Sequence, residues 1–179
     1  MTNKKYIVVL RHGPTNSNET INYNSFVNFI SEIVVYLKNF FSERDIDIKE
    51  HNIKIYASPY TRCMDTAKLL ASHLDVIRNN NKIAIKSNSG ITRWDMKNET
   101  REKSIQRSKT YGNHIYEKYN SKTNNELCIF ISHSSIIPAL MSGIIGKKIK
   151  KFKLHTASLS IINIDNREFS VFNKSFYKK

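Results

Sequence analysis

Arg11 and His12 stand side by side ahead of Gly13, directly after the apolar run Tyr6 to Leu10. A second run, Asn52 to Ala57, leads into Ser58-Pro59-Tyr60-Thr61-Arg62, and a third, Leu127 to Ser132, leads into His133-Ser134. These residue types suit displacement at phosphorus. A neutral imidazole is a nucleophile that can carry a covalent phosphoryl group. Its second nitrogen must be held by a hydrogen bond that fixes the tautomer. Guanidinium groups present planar, paired donors to phosphate oxygens, and such preorganised donors stabilise charge on the transferring group. Gly13 lets the backbone approach closely after His12.

The pattern of apolar residues supplies elements to position these groups. Lys4 to Leu10 reads as a buried strand, ended by Arg-His-Gly-Pro. Phe26, Phe29, Ile30, Ile33, Val34, Leu37, Phe40 and Phe41 recur at helical spacing, an amphipathic helix of about four turns. Asn52 to Ala57 alternates as a strand. Ser58-Pro59 then reads as an N-cap with proline at the first helical position, opening a helix that runs to about Leu74. Lys82 to Lys86 is a short strand, with Ile83 and Ile85 on one face. Glu99 to Asn120 reads as a helix with a thin stripe of Ile105, Gly112, Ile115, Tyr116 and Tyr119. Leu127 to Ser132 is a strand. Ser134 or Ser135 is expected to cap a helix ending near Ile145, with Pro138 in its first turn. Leu159 to Ile164 and Glu168 to Phe172 read as a hairpin around Asp165-Asn166. Strands alternating with helices imply an α/β fold, a three-layer α/β/α sandwich around a mainly parallel sheet. In such sheets ligands bind beyond the carboxyl ends of the strands, where all three chemical segments begin.

The chain of 179 residues is expected to form one domain over 1–179. Its 40% hydrophobic and 25% charged residues exclude disorder, collagen and coiled coil. No apolar run approaches the length of a membrane span, and Met1 to Leu10 does not read as a signal peptide. Cys63 and Cys128 have no metal-ligand spacing and read as buried thiols. A cytoplasmic protein is therefore expected. The net charge of +14 points to an anionic partner or to a general lysine and asparagine bias, seen in Asn79-Asn80-Asn81. Most lysines are scattered, but Lys147 to Lys153 and Lys178-Lys179 are clustered.

The three segments also resemble a known family. RHGPTNSN at 11–18 is similar to the R-H-G-x-S/T-x-x-N signature of the histidine phosphatase superfamily, which includes the phosphoglycerate mutases. SPYTRCMDTA at 58–67 is similar to its second motif, S-x-x-x-R-x-x-x-T-A, and ISHSSIIPAL at 131–140 to its third. ASLSIINID at 157–165 resembles its late strand. The motifs occur in family order and cover almost the whole chain. The resemblance implies a phosphoglycerate mutase-like fold and a metal-independent phosphatase that needs no cofactor. It implies that His12 accepts the phosphoryl group. Arg11, Arg62 and His133 would complete the phosphate pocket, Asn18 would contact the phosphate, and Thr15 would place a hydroxyl nearby.

One departure concerns the acid that protonates the leaving group. The family's usual glutamate aligns with Arg93 in GITRWDMKNETRE. Asp95 is the first alternative and Glu99 the second, while Arg93 reads as a binding site for a further anionic group. The expected partner is a small phosphorylated substrate or a phosphoprotein. The rival readings are a phosphoglycerate mutase-type transfer and a degenerate module that only binds phosphate. A third is nucleic-acid binding through Lys147 to Lys153 with Phe152, since cations and aromatic rings together can hold single strands. His51, His73, His114 and His155 read as surface or structural residues. The oligomeric state is open.

Overall fold

Among the described residues, apolar runs both alternating and continuous build six strands, and four helices pack against them. The computed structural model describes residues 5–16, 22–78, 82–94, 99–121, 126–150 and 152–176. In chain order the elements are β1 (Tyr6–Arg11), α1 (Tyr23–Ser42), β2 (Asn52–Ala57), α2 (Thr61–Ile77), β3 (Ala84–Ser87), α3 (Arg101–Asn120), β4 (Glu126–Ser132), α4 (Ile137–Ile145), β5 (Leu159–Asn163) and β6 (Glu168–Lys174). A single 3₁₀ turn, Ser89–Ile91, follows β3.

One sheet takes all six strands in the order β3-β2-β4-β1-β5-β6. The first four strands in that row run parallel, and β5 and β6 close the far edge antiparallel. Strand alternation sends side chains to two separate cores. Val8, Leu10, Ile55, Ile129 and Ile161 meet α1 and α2 on one face, whereas Ile7, Val9, Cys128, Phe130 and Ile162 meet α3 and α4 on the other. That is the expected three-layer sandwich around a mainly parallel sheet.

Several local expectations need correction. Helix α1 is longer than four turns, spanning 20 residues. Strand β3 begins at Ala84, so Ile83 is buried just ahead of it. The α3 stripe is also different. Ile105 is exposed, and the buried face is made of Ser104, Ser108, Gly112, Ile115 and Tyr119. Small side chains there let α3 lie directly on α4. A Cβ on Gly112 would meet the Leu140 carbonyl oxygen at 2.2 Å, and one on Gly143 would meet the Lys109 oxygen at 2.1 Å. Each glycine thus leaves room for the opposite backbone.

The serine caps also fall elsewhere. The residue preceding α2 is Tyr60, which makes no side-chain cap. Ser58 continues the strand instead, donating its N–H to the Ile131 oxygen. Helix α4 follows Ile136, not Ser134 or Ser135, although Pro138 does lie in its first turn. There the His133 carbonyl accepts from both the Ile136 and Ile137 amides. No helix among the described residues is long and apolar enough to cross a membrane.

Candidate active site

Sheet register brings the chemical segments together. Arg11 on β1 pairs with Ser132 on β4, and Ala57 on β2 pairs with Ile131. The next residues therefore leave three neighbouring strands side by side. The backbone confirms this, because the His12 amide donates to the Ser132 oxygen at 3.0 Å. The His12 and His133 rings stand 5.3 Å apart between centroids.

The His12 ring is buried, and its Nδ1 lies 2.8 Å from the Gly13 carbonyl. A carbonyl only accepts, so Nδ1 carries the proton and Nε2 keeps its lone pair. Burial lowers the pKa of this imidazole to about 4. The Gly13 carbonyl works against that shift, and the charges of Arg11, Arg62 and Arg93 add to it. His12 is thus neutral at physiological pH, with the tautomer that a nucleophilic Nε2 needs.

His133 is held more tightly still. Arg62 Nε–H points at its Nδ1 at 3.4 Å, and its Nε2 lies 2.9 Å from Ser58 Oγ. The guanidinium can only donate, so Nδ1 accepts and Nε2–H donates to Ser58. Burial first, then His12 and the arginines, lower its pKa to about 2. Ser58 is spent on this ring, which is why it does not cap α2. Tyr60 packs its ring edgewise on His133, with the Arg62 guanidinium carbon 5.0 Å from the same ring's centroid. Cys63 Sγ lies 3.5 Å from His133 Nε2. Burial pushes that thiol up to about 12, so it stays protonated and does not compete as a nucleophile.

Two hydroxyls tie the strand ends to their surroundings. Thr66 Oγ1 accepts the Gly13 amide at 3.0 Å and donates to the Arg62 carbonyl at 2.7 Å. One side chain thereby couples the turn after His12 to the helix that carries Arg62. Gly13 is required at that turn, since a Cβ would meet the Phe26 ring at 2.8 Å. Ser132 Oγ donates to the Ile91 carbonyl at 2.7 Å and fixes the loop that leads to Arg93. Across the pocket, Ala157 holds a left-handed backbone at φ 52° and donates its amide to the His12 carbonyl.

A cavity of about 450 Å³ opens over these groups. Arg11, His12, Arg62 and His133 line its floor. Burial and Arg62 lower the pKa of Arg11, whose Nη1 donates to the Leu154 carbonyl at 2.6 Å. Thr15, Arg93, Trp94, Ser134 and Ser135 line the same cavity. Sequence reasoning missed Arg101 and Ser104, which line it from the first turn of α3. It also missed the supporting roles of Ser132 and Tyr60. Ser58 and Thr66 were in the quoted second motif, but their partners become visible only in three dimensions.

Glu99 is not placed as a proton donor. Its two carboxylate oxygens accept from Arg107 Nε and Nη2 at 2.9 and 2.8 Å. Arg107 also donates to the carbonyls of Ser89, Gly90 and Thr92. The pair is a brace for the loop that carries Arg93, and Glu99 does not line the cavity. Asn18 and Asp95 lie outside the described residues. None of His51, His73, His114 and His155 lines the cavity.

No protein-family profile and no curated protein matches the sequence. Its similarity to solved structures is extensive. A mycobacterial glucosyl-3-phosphoglycerate phosphatase aligns over 96% of this chain and 99% of its own, at 13% identity and a TM-score of 0.65. The phosphoserine phosphatase of Entamoeba histolytica, solved with 3-phosphoglyceric acid, aligns over 96% and 98%, at 14% identity and a TM-score of 0.61. The phosphoglycerate mutase of Bacillus anthracis aligns over 97% and 93%, at 14% identity and a TM-score of 0.63. Likeness at this identity is likeness of fold: the chain has the three-layer fold that these phosphatases and the phosphoglycerate mutase share.

Proposed function

We propose that residues 1–179 act as one domain, a phosphatase that hydrolyses a small phosphate monoester through a phosphohistidine on His12. The observation that carries this reading is the Nδ1–Gly13 hydrogen bond beside two arginines in one cavity. His12 Nε2 attacks phosphorus, the P–O bond to the leaving group breaks, and its electron pair departs on oxygen. Arg11 and Arg62 face the charge on the phosphoryl oxygens, with the His133 ring beside them. Water then attacks phosphorus, the P–Nε2 bond breaks and its electron pair returns to His12, and inorganic phosphate leaves with the water proton passing to it or to solvent.

Arg93 and Arg101 supply two further cations at the cavity wall. Arg101 occupies the first residue of α3, where the helix dipole disfavours a positive charge. A bound anion offsets that cost. We assign these arginines, with Thr15 and Asn18, to substrate binding, and we read the substrate as small and carrying an acidic group besides its phosphate.

Hydrolysis of p-nitrophenyl phosphate in EDTA tests the reaction. Neutral His12 is the reactive form and its pKa is lowered to about 4. The acid limb of kcat/KM, which reports the free enzyme, therefore rises through about pH 4 and is flat above it. A limb centred near the ordinary histidine value would contradict the reading, as would activity that chelation removes.

Asp95 is our proposed proton donor to the leaving group. General acid catalysis contributes about 10²–10⁴ in rate, and least where the leaving group is already a good one. Asp95→Asn should therefore cost about 100-fold or more on an alkyl phosphate, and far less on p-nitrophenyl phosphate. Equal losses on both esters would remove Asp95 from that role.

A further inference from the structure

The basic run singled out in the sequence takes no part in the cavity. It lies in the connection between α4 and β5, and its two ends are held by hydrogen bonds. Ser142 Oγ donates to the Lys147 carbonyl at 2.8 Å, Asn173 Nδ2 to the Lys153 carbonyl at 2.9 Å, and Arg11 to that of Leu154. Ile149, Phe152 and Leu154 turn inward onto the second core. Lys147, Lys148, Lys150 and Lys153 are exposed, and among the described residues none of them is in an ion pair.

Beside this strap runs β6, the edge strand of the sheet. Its Phe172 is 44% exposed, a large share for a phenylalanine in a strand. The ring is nevertheless braced, with Phe152 at 4.5 Å and Phe169 at 4.8 Å between centroids. A fixed, exposed ring next to unpaired cations is an unusual surface for a fold to keep. Neither the ring nor the lysines are needed by the core or by the cavity.

We propose that Lys147, Lys148, Lys150 and Lys153 form, with Phe172, a docking surface for single-stranded nucleic acid. The lysines neutralise successive backbone phosphates, and a base stacks on Phe172. Charge complementarity selects a polyanion, and the preorganised ring selects one with flat, apolar faces. The inference is independent of the phosphatase reading, because none of the four catalytic side chains belongs to this surface.

Fluorescence anisotropy with a labelled oligouridine of about 12 nucleotides tests it. Binding should be measurable at about 50 mM salt and weaken steeply by about 200 mM. Phe172→Ala should cost about 5-fold or more in affinity. Lys150→Glu/Lys153→Glu should cost more and lower the salt slope by roughly 0.7 per lysine lost. Lys82→Glu/Lys86→Glu makes the same charge change at the opposite edge, beside β3, and should lose much less. The proposal fails if the wild type does not bind at low salt, if Phe172→Ala binds unchanged, or if the two double variants lose equally. Tighter binding to phosphatidylserine vesicles than to the oligonucleotide would overturn it in favour of a membrane surface.

Discussion

His12→Ala lowers kcat/KM for p-nitrophenyl phosphate by about 10⁴-fold or more, the scale on which removing a covalent nucleophile acts. That corresponds to about 5 kcal/mol of lost transition-state stabilisation. The variant should still fold. Truncation removes a buried ring whose polar contact is a bond from Nδ1 to the adjacent Gly13 carbonyl, and the turn keeps the Gly13 amide bond to Thr66 Oγ1 and the His12 amide bond to the Ser132 carbonyl. It should also still bind inorganic phosphate, because Arg11, Arg62 and His133 are untouched. Loss of turnover with retained binding separates a catalytic His12 from a merely structural one. A variant with a tenth or more of wild-type activity would remove His12 from the reaction.

Gly112→Ala should be among the most damaging conservative changes in the scaffold. A methyl group there normally favours a helix by about 1 kcal/mol. Here its carbon would sit 2.2 Å from the Leu140 carbonyl oxygen and 3.0 Å from Gly143 Cα. Both are backbone atoms, so relief requires α3 and α4 to separate. Overpacking of this kind costs about 1–3 kcal/mol, and more when backbone must move. For a chain of this length a net loss of about 2 kcal/mol lowers Tm by about 4–8 °C. Separation also moves Arg101 and Ser104, which line the cavity from the start of α3. KM should therefore rise along with the fall in Tm. Thermal melts and steady-state kinetics read both, and Ser72→Ala, an exposed helical change, serves as the reference. An unchanged Tm would mean that the helix contact has slack the structure does not show.

The periodicity of the chain made most of this legible. Alternating and continuous apolar runs mark the strands, and each chemical segment follows one of them, so the sequence itself places Arg11, His12, Arg62 and His133 at a common sheet edge. What periodicity could not reveal was which polar groups would claim each other. Ser58-Pro59 has the composition of a helix start, but burial beside His133 made the hydroxyl worth more as a ring partner than as a cap. Ser134 and Ser135 likewise look like caps, yet the His133 carbonyl takes both amides at the α4 start. Glu99 was a reasonable acid by its position in the sequence. Its partner Arg107 lies two helical turns along α3 and carries no local signal of that pairing. Arg101 was hidden in the same way, since an arginine at the start of a polar helix reads as a solvated charge. The small face of α3 was misjudged because Ser104 and Ser108 are polar by type, although their hydroxyls are satisfied by the backbone carbonyls of Arg101 and Gly90. Tertiary competition for hydrogen bonds, not propensity, decided each of these cases.

The central claim is covalent, and a covalent intermediate can be seen directly. Wild-type protein mixed with a phosphate monoester in EDTA, quenched within the first turnovers and digested under alkaline conditions, should yield a peptide containing His12 with one added phosphoryl group. That modification should be acid-labile and absent from His12→Ala. Active protein that never carries the group, or carries it on a residue other than His12, would contradict the account.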